Sequence, residues 1–528
     1  MTIKELRNHV PAVAISRRRL ISRAVAAASA LTLASVPRAV HPVAAQTPVA
    51  TPAAPIPNTV ASDASPRFRA VADALLAAMP ANGTPGAALG ILADGVEEHA
   101  TFGVDSIDAR QPVTAETLFQ IGSITKTLTG TAIMRLVEDV ALDLDATVRT
   151  YLPDFELAEE DVAARVTVRH LLTHTGGWWG DFFADTGADD DAIARYIERW
   201  FPTLPQLTPL DEYVNYNNAG FTLLGRLIEE ATGEEYRVAM GALVLEPLGL
   251  SGSFFAPEEV LARPHAQGHF TENGATLLQE PLFLPRAVDP AGGLWSTTSD
   301  LLRYARFHLG DGTSDGERIL SAELLAQMQT PQQPFLGQPG TAIGMPWVIV
   351  DLAGQRFVQH DGGTFGQGAM LLLAPDRGFA IAVLTNALPG GAYVGQAALL
   401  EAFTRYIGLD LERAAMATPA ANPPPAAAPP PDLDQYVGRY EAPDTVVELV
   451  VENGALVLNY ELRPLPEQVQ PTLISEVPPR APVEFIADDV ILVTIAGLPL
   501  PVAFVRRDDG SIGWIAAAGR MLPKVETA

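Results

Sequence analysis

The 528-residue chain contains no cysteine. That excludes a disulfide framework, a thiolate metal site and a thiol nucleophile, although it assigns no compartment. Basic residues are scarce: 35 Lys and Arg stand against 62 Asp and Glu, a formal net charge of −27. Seven of those 35 lie in the first 45 residues, so the remainder is more acidic still. A surface of that sign repels phosphate backbones and anionic lipid, which excludes nucleic acid and membrane surfaces as partners. Beyond the N-terminal region there is no uninterrupted apolar run of 18 residues, so no stable membrane insertion is expected after signal cleavage. A glycine-rich phosphate loop is also missing.

Apolar residues are abundant, at 48% of the chain, enough for a large core and more than one domain. The N-terminus carries Ser16-Arg17-Arg18-Arg19-Leu20-Ile21, then an uncharged run from Ala24 to Val36, then Val43-Ala44-Ala45. A basic flank, a short apolar core and small residues at a cleavage site read as a signal peptide over 1–45. The paired arginines resemble a twin-arginine signal, so the protein is expected to be exported to the periplasm, the cell envelope or the medium. Residues 46–65 are rich in Ala, Pro and Thr and read as a linker. A second Pro-rich linker, 411–432, separates a body at 66–410 from a tail at 433–528.

Within the body, Ala87–Ile91 and Val96–Phe102 flank Asp94-Gly95 and read as a hairpin. Met370–Leu373 and Phe379–Leu384 read as a second one. Ile124, Leu128, Ala132, Ile133 and Leu136 recur at helical spacing, and Phe221–Thr232 reads as a helix ending at Gly233. Strands at both ends with helices between give an α+β body, an antiparallel sheet flanked by helices with an all-helical region beside it. The tail alternates at Val446-Glu448-Val450, Leu456-Leu458, Ile491-Val493-Ile495 and Val502-Phe504, which predicts a small all-β domain without an evident catalytic cluster.

Three short segments carry chemistry. In Ser123-Ile124-Thr125-Lys126, a helix would set Lys126 beside Ser123 one turn on. A serine hydroxyl needs such a base, and a desolvated lysine can lose its proton near neutral pH. In Tyr216-Asn217-Asn218, a phenol can relay a proton and an amide can hold both a lysine and a substrate carbonyl. In His360-Asp361-Gly362-Gly363, placed before the strand Met370–Leu373, glycines let a strand edge approach a substrate and offer an N–H to an oxyanion.

In this order and spacing the segments resemble the serine β-lactamase and penicillin-binding-protein superfamily, in its class C β-lactamase-like branch. His170-Leu171-Leu172-Thr173-His174-Thr175-Gly176-Gly177 and Gly292-Gly293-Leu294-Trp295-Ser296-Thr297 share in the likeness, which covers about residues 66–410. The resemblance implies an acylated Ser123, Lys126 as its proton acceptor and Tyr216 as a second acid/base. It implies that Asn218 positions Lys126 and the substrate amide. His360, Gly362 and Gly363 then line the substrate, with the Ser123 and Gly363 N–H groups as oxyanion hole. No metal or cofactor is required. His-Asp-Gly replaces the family's Lys-Thr-Gly, so the fixed cation and hydroxyl that grip a β-lactam carboxylate are missing. A conditionally charged histidine beside an acidic residue favours an esterase or peptidase acting on a small-molecule or peptide ester or amide. The competing reading is a non-catalytic cell-envelope binding protein that retains the penicillin-binding fold. The oligomeric state is not legible.

Two other patterns mislead. Gly312-Thr313-Ser314-Asp315-Gly316 matches a nucleophile elbow but follows a helical-looking segment, so a surface turn is expected. His170 and His174 are spaced like zinc ligands, yet Leu171 stands where a zincin needs glutamate.

Overall fold

The structure, a computed structural model, describes residues 58–272, 274–410, 432–463, 469–470, 480–495 and 498–525. The expected signal segment, most of the first linker and nearly all of the second lie outside those residues.

Apolar alternation in a sheet buried on both faces gives long strands with little polar relief. In chain order the sheet takes β1 (Asn58–Val60), β2 (Gly86–Ala93) and β3 (Val96–Gly103), then β4 (Gln333–Pro334), β5 (Thr341–Ile343) and β6 (Val348–Leu352). It is completed by β7 (Gln355–Thr364), β8 (Gln367–Ala374) and β9 (Phe379–Thr385). The nine strands are antiparallel in the order β1-β3-β2-β9-β8-β7-β6-β5-β4. Strand β1 pairs along β3 from Asn58, and Ser65 caps the next helix, so residues 58–65 belong to the body rather than to a linker. The third motif sits inside β7, as the strand edge expected of it, although its glycines left the length of that strand unread.

One face of the sheet is covered by α1 (Pro66–Ala78), and the other carries the helical region. That region includes α2 (Thr125–Glu138), α3 (Val168–Leu172), α4 (Asn218–Thr232) and α5 (Thr298–Leu309). Helix α6 (Gly390–Ala402) packs beside α1 on the first face. Val71 and Leu75 of α1, Leu89 of β2 and Leu372 of β8 share one core; Leu128 of α2, Leu224 of α4 and Leu371 of β8 share the other.

The tail forms a closed barrel. Its strands are β10 (Gly438–Ala442), β11 (Thr445–Glu452), β12 (Ala455–Leu462), β13 (Arg480–Ala487), β14 (Val490–Ile495), β15 (Leu498–Arg506), β16 (Ile512–Ala517) and β17 (Arg520–Val525). Closure comes from the pairing of Tyr440 in β10 with Lys524 in β17. In β11 the partners Val447↔Tyr460 and Leu449↔Leu458 face inward, so the inward set is offset by one residue from the Val446-Glu448-Val450 alternation. Toward one end of the barrel Tyr436 packs edge-on against Phe485 and tilted against Phe504. The other end rests on the body. There the Trp514 indole donates to the Leu207 carbonyl at 2.8 Å, and Val469-Gln470 pairs with Phe183-Ala184.

Candidate active site

A 3₁₀ turn, Gly122–Ile124, delivers Ser123 to the first turn of α2. Lys126 follows on the same face, and its Nζ donates to Ser123 Oγ at 3.0 Å and to the Ala291 carbonyl at 2.6 Å. The lysine is fully buried. Burial holds its pKa well below the ordinary value, and the Arg520 guanidinium pushes it down further. An amine biased by burial toward its uncharged form and set against a serine hydroxyl is the arrangement a general base needs.

The backbone before Ser123 lies against β7. A Cβ on Gly122, at φ +53°, would fall 2.6 Å from Gly363 N, and one on Gly362 would fall 1.8 Å from the Ile121 carbonyl. Only glycine permits this contact. It brings the amides of Ser123 and Gly363 into one neighbourhood, the geometry of an oxyanion hole.

Tyr216 is buried in the loop before α4, with its ring centroid 5.1 Å from Lys126 Nζ. His174 stacks on it at 4.3 Å. The His174 Nδ1 accepts the Asn217 N–H at 3.0 Å, and its carbonyl accepts the Asn215 N–H at 2.8 Å. Burial and the neighbouring cations hold His174 neutral, so it shapes the tyrosine loop without charging it. His170 instead closes the capping box of α3 with Thr167, so the two histidines serve separate local structures. Burial raises the phenol of Tyr216; Ser123 and Arg520 act in the opposite direction.

Two expected side chains behave differently from their assigned roles. Asn218 does not bond Lys126; its amide donates to Asp181 at 2.6 Å, because the helix-capping position is taken by Asn217. His360 faces Tyr216 with centroids 6.2 Å apart, but it is not a conditional cation. Burial and Lys126 push it down to about 3, so it is neutral at physiological pH. Its Nδ1 lies 2.8 Å from the Asp361 carbonyl. Asp361 occupies the other face of the sheet: it pairs with Met370, which packs toward α6, whereas His360 pairs with Leu371 of the helical-region core. Strand alternation therefore turns the Asp361 side chain away from the cleft, while its charge still reaches Tyr216.

The cation of the site comes from the tail. Strands β16 and β17 are joined by Ala518-Gly519, both at positive φ, a two-residue turn of the I′ kind. The turn seats on the tyrosine loop: Tyr216 N–H donates to the Gly519 carbonyl at 2.8 Å, and Met521 N–H donates to Asn215 Oδ1 at 3.1 Å. Arg520 then lies 4.5 Å over the Tyr216 ring and clasps Asp181 through Nε at 2.9 Å and Nη2 at 3.1 Å. Sequence reasoning missed Arg520. The available signal was a single arginine in the apolar stretch Ile512–Pro523.

A β-lactamase family model matches residues 69–405. The chain belongs to the β-lactamase family. Penicillin-binding protein 4 of Amycolatopsis lactamdurans is 36% identical over 363 residues, covering 68% of this chain and 93% of that protein. The SurE crystal structure aligns over 87% of this chain and 99% of its own with a TM-score of 0.66 and 26% identity; SurE with D-Leu gives 0.65. A class C β-lactamase from Rhodobacter sphaeroides, 22% identical with a TM-score of 0.53, covers 64% of this chain and 99% of its own and shares the fold. Family membership makes this a serine-hydrolase fold of the β-lactamase and penicillin-binding-protein type. The Gly312–Gly316 segment forms a small surface hairpin between Thr313-Ser314 and Glu317-Arg318 after α5, not a strand-to-helix elbow.

Proposed function

We propose that the chain is an exported acyl-serine hydrolase of esters or amides. The observation that carries this is the buried Lys126 Nζ, 3.0 Å from Ser123 Oγ. In this reading Lys126 takes the Ser123 proton as the hydroxyl attacks the substrate carbonyl, and the Ser123 and Gly363 amides receive the oxyanion. Tyr216 hands a proton to the leaving group, with its phenol biased by Arg520. Asn218 acts at one remove, by fixing Asp181 and through it Arg520. A retired binding protein would have no use for a fully buried lysine held against a serine, since burying that amine costs free energy. Export rests on the sequence of residues 1–45.

The substrate preference follows from charge. His360 is neutral and Arg520 is engaged by Asp181, so a β-lactam carboxylate meets no uncommitted cation among these groups. Neutral esters and amides need none. The likeness to SurE, solved with D-Leu, supports placing amides of D-residues among the candidates. The test has two stages on the mature protein. Intact-mass labelling should add one phosphonyl group from a fluorophosphonate, with loss of fluoride, or one penicilloyl group from a fluorescent penicillin, and both should be lost in Ser123→Ala. The kcat/KM for p-nitrophenyl butyrate should exceed that for benzylpenicillin; the reverse order would restore a β-lactamase assignment.

A further inference from the structure

The barrel and the tyrosine loop line a partly open cavity of about 120 Å³ that Tyr216 borders. Its walls are the inward residues Val447, Leu458, Val493, Val502, Ile515 and Leu522. An engineered apolar cavity of roughly 150 Å³ takes up benzene, so this space suits a group of about six carbons. Its floor toward the body is polar, made by Asp181, Arg520 and Asp444.

Those three charges do not balance. Arg520 and Asp181 form a bidentate pair. Asp444 is more than nine-tenths buried, and among the described residues it makes no ion pair. Its neighbours are the Thr445 hydroxyl, the like-charged Asp181 and the Arg520 that Asp181 already holds. Burial pushes the Asp444 carboxyl up to about 6, so at neutral pH it is mostly ionised in an apolar chamber whose only nearby cation among the described residues, Arg520, is already shared with Asp181. Such a group is costly unless something pairs with it.

We propose that the barrel lumen is a binding site for an aliphatic primary ammonium, its chain among the Val and Leu walls and its cationic head on Asp444. An alkyl carboxylate would bring a second uncompensated negative charge to the floor. An alcohol would fill the walls but leave Asp444 unneutralised. The site adjoins the Ser123 cleft, sharing Tyr216, Asp181 and Arg520 with it, and its occupancy does not depend on which bond the enzyme cleaves.

Calorimetric titration of the full chain at pH 7.5 with n-hexylamine, n-hexanol and hexanoate tests this. Hexylamine should bind about tenfold or more tighter than hexanol, a difference of roughly 1.4 kcal/mol, and hexanoate should bind most weakly. In Asp444→Asn the amine should lose its advantage while hexanol binding stays within about threefold. Leu458→Trp should abolish both by filling the lumen. Equal affinities for amine and alcohol in the wild type would overturn the proposal, as would an undiminished amine preference in Asp444→Asn, tighter binding of hexanoate, or no binding of any probe. The wild-type comparison decides the matter even if either variant fails to fold.

Discussion

The body and the barrel contribute to one site in opposite ways. The body supplies Ser123, Lys126, Tyr216 and the Gly362-Gly363 edge, each in a short motif whose spacing has local meaning. The barrel supplies one side chain, Arg520, and one carbonyl, that of Gly519, at the tip of a hairpin more than 300 residues after the nucleophile. The nucleophile and its base are organised by a helix turn, which any sequence with the right four residues can make. The charge around them is set by a tertiary contact that no local pattern encodes. Chemistry and electrostatic tuning thus come from different parts of the chain.

That division can be broken most sharply in the body. Lys126→Ala should lower acylation of Ser123 by about 100- to 10,000-fold in a protein that folds normally by circular dichroism. Near-wild-type turnover would remove the lysine from the mechanism. The barrel's share is measured next by Arg520→Ala and Arg520→Lys. Arg520 depresses the Lys126 pKa. Its removal lets that pKa rise, so the acid limb of the kcat/KM profile should move to higher pH, with roughly a tenfold fall at pH 7. Arg520→Lys retains the charge and should recover most of the profile. An unmoved limb in a folded Arg520→Ala would show the arginine to be a structural strut alone.

A chain ending near Thr418 should remain soluble, because body residues build one core entirely and most of the other, although the barrel's inward residues continue that second core. It loses the acceptor for Tyr216 N–H and the donors to Asn215 and Leu207. At about 1 kcal/mol per lost bond its Tm should drop by several degrees, and Ser123 labelling should slow. Failure of that body to fold would show the two units to be one. The smallest effect is expected at Asp361. Its side chain faces α6, so Asp361→Asn should change the ratio of ester to β-lactam kcat/KM by less than about twofold, while His360→Lys should shift it toward the β-lactam. A large effect of Asp361→Asn would place its carboxylate back in the cleft.

The sequence was most readable where the chemistry is local. The hairpin at Asp94-Gly95, the helix after Ser123 and the stop at Gly233 follow from turn residues and apolar period, and all three are present. The strand holding His360 was harder, since glycines at 362 and 363 carry no β signal and serve close approach instead. Asn218 was expected to position Lys126 and the substrate amide; its amide donates instead to Asp181, and the capping role falls to Asn217, a division that two adjacent asparagines do not reveal by type. His360 looked chargeable because its type is; its ionisation is decided by burial, which a sequence does not print. Arg520 was invisible for the same reason on a larger scale.

The hairpin tip at Ala518-Gly519 also bears on how the enzyme comes into being. During synthesis the motifs around Ser123, Tyr216 and His360 leave the ribosome well before residues 519–521 exist. A nascent body can therefore collapse around the core behind its sheet while the tyrosine loop still lacks the Gly519 carbonyl and the guanidinium above its ring. Full competence arrives only with the β16–β17 hairpin. The hairpin acts as a completion signal: a chain that stalls or is clipped before β17 carries every catalytic motif and still lacks the finished site.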